Sequence, residues 1–179
     1  MTDEQTTDRQ PADYPMTMEE VFAYLAAARG RLMAVVEPRS DAEVTRIGPE
    51  GWSVKDHLAH LAVWEGSMIA VLTGGDKAAA LGVTPELLAL PGYDEVNEVI
   101  RARWADLTRA EVETMLAATR QRLLTLLGGM TYDDLMRPYA AYSPGDPDKT
   151  DPVAYWLAGN TWEHDDEHRP WIEGLLDRE

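Results

Sequence analysis

The four histidines of this chain fall into two short clusters far apart in sequence, His57 with His60 and His164 with His168. A neutral imidazole offers a nitrogen lone pair to a transition metal, and three or four such rings converging could hold a divalent cation with coordination positions left for water or substrate. The competing reading is a set of packed core histidines, the ordinary role of a lone histidine on an apolar helix face. Burying several rings together without a shared partner would leave ring nitrogens unsatisfied, at about 1–3 kcal/mol each. An ion removes that cost. The spacing of four in His164–His168 puts both rings one turn apart on the same helical face. At about 100° per residue they lie in the middle of the stripe carried by Val153, Leu157, Trp171 and Leu175. On the earlier helix the apolar centre lies near Leu61 and Met68, with His57 inside the stripe and His60 at its edge, so periodicity alone ranks His57 first.

Composition narrows the chemistry. With no cysteine among 179 residues, disulfides, thiolate ligands and a cysteine nucleophile are excluded, and a metal must sit on His, Asp or Glu. A formal charge of −16 repels phosphate backbones and anionic lipid, which argues against nucleic-acid and membrane partners. No apolar run approaches the roughly 20 residues of a membrane helix. The segment 1–15 lacks the basic start and apolar core of a secretory signal and reads as a disordered acidic tail ahead of one domain, residues 16–179, with a cytoplasmic location expected. His164 to His168 also matches H-x-x-E-H, the inverted zinc-protease pattern, but too little chain follows to supply a further ligand.

The elements that must position the histidines are helical. Thr17 with Glu20 has capping-box spacing, and Val21, Leu25, Ala28, Leu32 and Val35 follow until Pro38. Ser53 heads a second helix that runs to Gly74-Gly75. Thr84-Pro85-Glu86 can open a short helix. A third long region starts near Asp94 and re-initiates at Thr108, with Glu111 completing a capping box, and ends at Gly128-Gly129. Asp151-Pro152 predicts the start of the fourth. With no alternating strand, four long amphipathic helices joined by long connections at 74–92 and 137–151 imply an all-α four-helix bundle.

Trp52-Ser53-Val54-Lys55-Asp56-His57-Leu58-Ala59-His60-Leu61, followed by Trp64-Glu65, resembles the second helix of the DinB/YfiT-like superfamily of metal-binding bundles. The stretch from Ala158 to His168 resembles that superfamily's paired histidines, and its ClbS/DfsB branch in particular. The resemblance covers nearly the whole chain. It implies a metal site at His60, His164 and His168 holding nickel or zinc, and a homodimer. It also makes His57 a departure, since the family commonly has an aliphatic residue there; His57 is a fourth ligand, a hydrogen-bond partner of a ligand, or a packed residue.

Around these, Trp64 and Trp171 are expected to wall a cavity. Asn160 is a candidate for orienting a ring or a substrate, with a helix hydrogen bond the alternative, and Glu65 is a candidate general base or supporting carboxylate, with a solvated role the alternative. Pro170 should bend or end the last helix, Glu163, Asp165 and Asp166 should form its wet face, and Tyr139 and Tyr142 are candidates for a lid in the 137–151 loop. The functional expectation is a metal-dependent hydrolase or thiol transferase acting on a small electrophile, in detoxification or self-protection. The alternatives are a non-catalytic dimer that sequesters a small molecule, and a structural metal site closed by His57.

Overall fold

The computed structural model describes Pro15 and residues 17–177. The expected acidic tail, up to Tyr14, lies outside the described residues. Ten α-helices follow in chain order among the described residues: α1 (Met18–Val36), α2 (Asp41–Thr45), α3 (Val54–Leu72), α4 (Lys77–Leu81), α5 (Pro85–Leu88), α6 (Asp94–Trp104), α7 (Arg109–Leu127), α8 (Tyr132–Leu135), α9 (Val153–Gly159) and α10 (Trp162–Leu176), with a 3-10 turn at Tyr139–Ala141 between α8 and α9. No strand occurs among the described residues, and no helix there is long and apolar enough to cross a membrane.

The long helices start where their caps dictate. Thr17, Ser53 and Thr108 each accept the backbone N–H three residues on, and Ser53 with Asp56 and Thr108 with Glu111 close full capping boxes. The same local chemistry makes three short helices beyond those expected, α2 behind Ser40 with Glu43, α4 behind Asp76, and α8 behind Thr131 with Asp134.

α1 packs along α10, while α3 packs against α7 and α10, which gives the bundle its four walls once α9 is counted as the upper part of the fourth. The core has two main regions, one around Leu25, Met68, Leu123 and Leu157, the other around Leu32, Leu58, Leu116 and Ile172. A third cluster, Trp64, Leu81, Val96 and Ile100, joins α4 and α6 to the outer face of α3. Because helices cover it on every side, α3 has almost no wet face, and its buried positions include Lys55, Asp56, His57, His60 and Glu65.

The fourth helix departs from expectation in two places. It starts at Val153 rather than Pro152, because the Asp151 carbonyl accepts from Tyr139 N–H and Pro138 bridges to Pro152, holding that stretch extended. It breaks at Asn160–Thr161 rather than at Pro170, which α10 absorbs. The cause of the break is local. Asn160 Nδ2 donates to Trp156 O at 2.7 Å and Thr161 Oγ1 to Leu157 O at 2.6 Å, so side chains compete for carbonyls of the helical ladder.

At the centre of the bundle each wall contributes one charged side chain, Arg29 from α1, Glu65 from α3, Arg120 from α7 and Asp165 from α10. Arg29 reaches Glu65 at 2.9 Å and Asp165 at 3.0 Å, and Arg120 reaches the same two carboxylates at 2.8 and 3.1 Å. Arg120 also donates to Leu25 O at 2.7 Å. Both carboxylates are 1 % exposed. Asp165 is therefore not on a wet face; its neighbour Asp166, paired with Arg31, is.

Candidate metal centre

The histidines come from two adjoining walls, His57 and His60 from α3, His164 and His168 from α10. Ligand nitrogens of His60, His164 and His168 lie within 4.8 Å of one another. His60 Nε2 faces His164 Nε2 at 3.1 Å, the His60 and His168 rings stack at 4.7 Å, and those of His164 and His168 meet edge-on at 4.6 Å. His57 is outside that group, and its Nδ1 is 3.0 Å from His168 Nδ1.

The donor set fits a divalent ion. Bonds of about 2.0–2.1 Å place two ligand nitrogens about 2.9 Å apart at a right angle and about 3.4 Å apart at the tetrahedral angle. The 3.1 Å between His60 and His164 lies between those values. Between two neutral rings that contact can hold one shared proton, whereas an ion would take a lone pair from each; Nδ1 of both rings is buried with no hydrogen-bond partner. Burial holds His57 and His164 down to about 4 and pushes His60 and His168 well below 6.5, with neighbouring histidines acting in the same direction on the last three. All four rings are neutral at pH 7, the state in which a ring nitrogen can ligate.

These depressed values make acid destabilising for the metal-free protein. The unfolded chain takes protons near 6.5 while the folded rings resist them down to about 4, so stability is full above 6.5 and falls as pH drops through that window. Each histidine protonated only on unfolding removes up to about 1.4 kcal/mol per pH unit, or about 3–5 °C in Tm. Thermal melts of stripped protein across that range should slope downward toward acid, and a flat profile would contradict the burial argument.

The histidines open onto a cavity of about 810 Å³. Four of the chain's six tryptophans line it, Trp52, Trp64, Trp156 and Trp171, together with Tyr93 and Tyr155. The expected walls Trp64 and Trp171 are both there. Trp52 was not foreseen as a wall; its ring lies 5.0 Å from that of His57 and 5.5 Å from that of His60. Trp64 is fixed by its indole N–H, which donates to Asn97 Oδ1 of α6 at 3.1 Å, and by an edge contact with Tyr93 at 5.1 Å. The charged lining is mostly acidic, with Glu50, Asp94, Glu98 and Glu167 against Lys77.

Asn160 lines this cavity while its amide N–H is engaged by Trp156 O. Glu65 is not among the lining residues; its carboxylate turns to the arginines at the bundle centre. No residue of the 137–151 loop lines the cavity either. Tyr139 is wholly buried against Trp156 and Tyr142 donates to Asp134 O, so neither tyrosine is a lid. The cover comes from α4, α6 and the turn before α3, through Lys77, Tyr93, Asn97, Pro49 and Glu50. Helical periodicity could not reveal this, because which connection folds over the site depends on how α4 and α6 dock on α3.

Fold and site together define a class: an all-α bundle that presents three neutral histidines from two adjacent walls to one aromatic cavity. The sequence profile of the DinB superfamily matches residues 24–172, and the chain belongs to that superfamily. A crystal structure of an uncharacterised protein from Escherichia coli UTI89 is similar over 92 % of this chain and 95 % of that one, with a TM-score of 0.67 and 14 % identity, a likeness of fold alone. No curated protein matches the chain. The family and the three-histidine group fit a metal-binding protein.

Proposed function

We propose that the protein is a metal-dependent enzyme, a hydrolase or thiol transferase that uses nickel or zinc to act on a small electrophile with an apolar, flat body. One observation carries this reading: three histidine nitrogens converge within 4.8 Å on the wall of a cavity lined by four tryptophans. A divalent ion held by His60, His164 and His168 would supply Lewis acidity that acidifies a water or thiol and polarises an electrophile. The protein's part is to hold and to exclude. Three neutral ligands leave the ion's full charge available, and the indole walls seat the substrate against water. Asn160, on the cavity wall at the break before α10, is the candidate for orienting the substrate through its Oδ1, its amide N–H being held by Trp156 O. Glu65 serves by holding α3 to α10 rather than by touching the substrate. Removal of a toxic electrophile is the physiological role this chemistry suits.

The breadth of the tryptophan-lined cavity favours one second reading, a non-catalytic homodimer that sequesters a small apolar molecule. Turnover of thiol-reactive and strained-ring electrophiles, with and without an added thiol, by metal-loaded and metal-stripped protein separates the two. The enzyme consumes substrate only when loaded. Quenching of tryptophan fluorescence on binding, with the compounds unchanged in both states, would favour sequestration.

A further inference from the structure

We propose that His57 is a positioning residue for the metal centre: its Nδ1 accepts the Nδ1 proton of His168 and so holds His168 in the tautomer whose Nε2 lone pair is free for an ion. The inference rests on the metal-binding reading above and gives a role to the histidine that is not one of the three converging ligands.

The two Nδ1 atoms are 3.0 Å apart, within hydrogen-bond range, with the ring planes at 75°. A neutral imidazole carries one proton, and a nitrogen–nitrogen contact of this length admits one. Two arrangements are therefore open to the pair. If the shared proton belongs to His168, its Nε2 bears a lone pair. If it belongs to His57, His168 must carry its own proton on Nε2, which then cannot ligate. Binding an ion at Nε2 selects the first arrangement, and by linkage a partner that accepts at that point favours the ion.

A ligating histidine ordinarily has this done by a carboxylate or a backbone carbonyl. Here the hydrogen-bond partner of His168 among the described residues is His57. The position of His57 is itself fixed by packing. It is buried on α3, its ring lies 5.0 Å from that of Trp52, and Trp171 approaches at 6.2 Å. Trp171 also touches the His168 ring, at 4.8 Å, so the two histidines are held by a common wall. An aliphatic residue at position 57 could fill the volume but could accept no proton.

The test compares His57→Leu, which removes the acceptor, with His57→Asn, whose amide oxygen can take the place of Nδ1. Zinc affinity is measured by chelator competition on full-length, untagged protein, with the Tm of each stripped variant recorded alongside. His57→Leu should weaken zinc binding about 10–100-fold, with His57→Asn within about threefold of wild type. In zinc-loaded wild type and His57→Asn, nitrogen-15 spectra of the histidines should show His168 protonated at Nδ1, and His57→Leu should lose that protected proton. Equal affinity in His57→Leu and wild type would overturn the inference and leave the metal centre standing. Equal weakening in both variants, accompanied by a fallen Tm, would overturn it in favour of a packing role. A wild-type protein that takes up no zinc, nickel or cobalt overturns the metal reading itself, and this inference with it.

Discussion

Arg120→Leu is expected to lower stability by about 3–5 kcal/mol and Tm by about 6–20 °C. Arg120 donates through Nε and Nη2 to Glu65, through Nη2 to Asp165 and through Nη1 to the Leu25 carbonyl. Leucine there would leave two buried carboxylates with Arg29 as their remaining cation and take away the second donor to the Leu25 carbonyl. An exposed pair offers the control. Arg31 and Asp166 have side chains 50 % and 37 % exposed, and Arg31→Ala should cost under about 1 kcal/mol. Urea unfolding of the metal-free proteins decides the matter, and equal small losses in both variants would contradict the account. The effect should also reach the metal centre. Glu65 and Asp165 sit on the two helices that carry the histidines, and Arg29 and Arg120 each bridge them, so loosening the network loosens the spacing of His60 and His164.

The second large effect is expected from truncating a ligand. His60→Ala, His164→Ala and His168→Ala should each weaken metal binding more than the roughly 10–100-fold set by loss of an outer hydrogen-bond partner. At a free metal concentration about a hundred times Kd, an ion bound only to the folded state adds about 2.7 kcal/mol, raising Tm by about 5–11 °C. That increment should appear in wild type and vanish in all three variants. Thermal melts with and without added zinc test it, and a retained increment in any one would remove that residue from the ligand set.

Helix starts were legible because a cap is local chemistry. Ser53 with Asp56 and Thr108 with Glu111 act within one turn, and they do in the structure what their spacing implies. Asn160 and Thr161 also act locally, but the same residues can sit harmlessly inside a helix, so the break could not be told from continuity. The three converging histidines were legible only in part. Periodicity put His57 ahead of His60, and the resemblance of the surrounding motif to a known family reversed the order. The reason is now visible: both face inward on a helix buried all round, so no wet face distinguishes them.

The central charge network was missed although its register was in plain view. Leu25–Arg29–Leu32, Leu61–Glu65–Met68, Leu116–Arg120–Leu123 and Thr161–Asp165–His168 each place a charge four residues after one buried position and three before another. Each charge alone reads as a solvated residue at the edge of a stripe. Two of each sign at the same inward register on four helices neutralise one another, and that pattern appears only when the helices are considered together.

The most direct measurement is the metal content of untagged wild-type protein expressed with nickel and zinc in the medium, set against His164→Ala prepared identically. The account predicts close to one equivalent of nickel or zinc per chain in the wild type and almost none in the variant. Wild-type protein that emerges empty, or a variant that retains its metal, would contradict it.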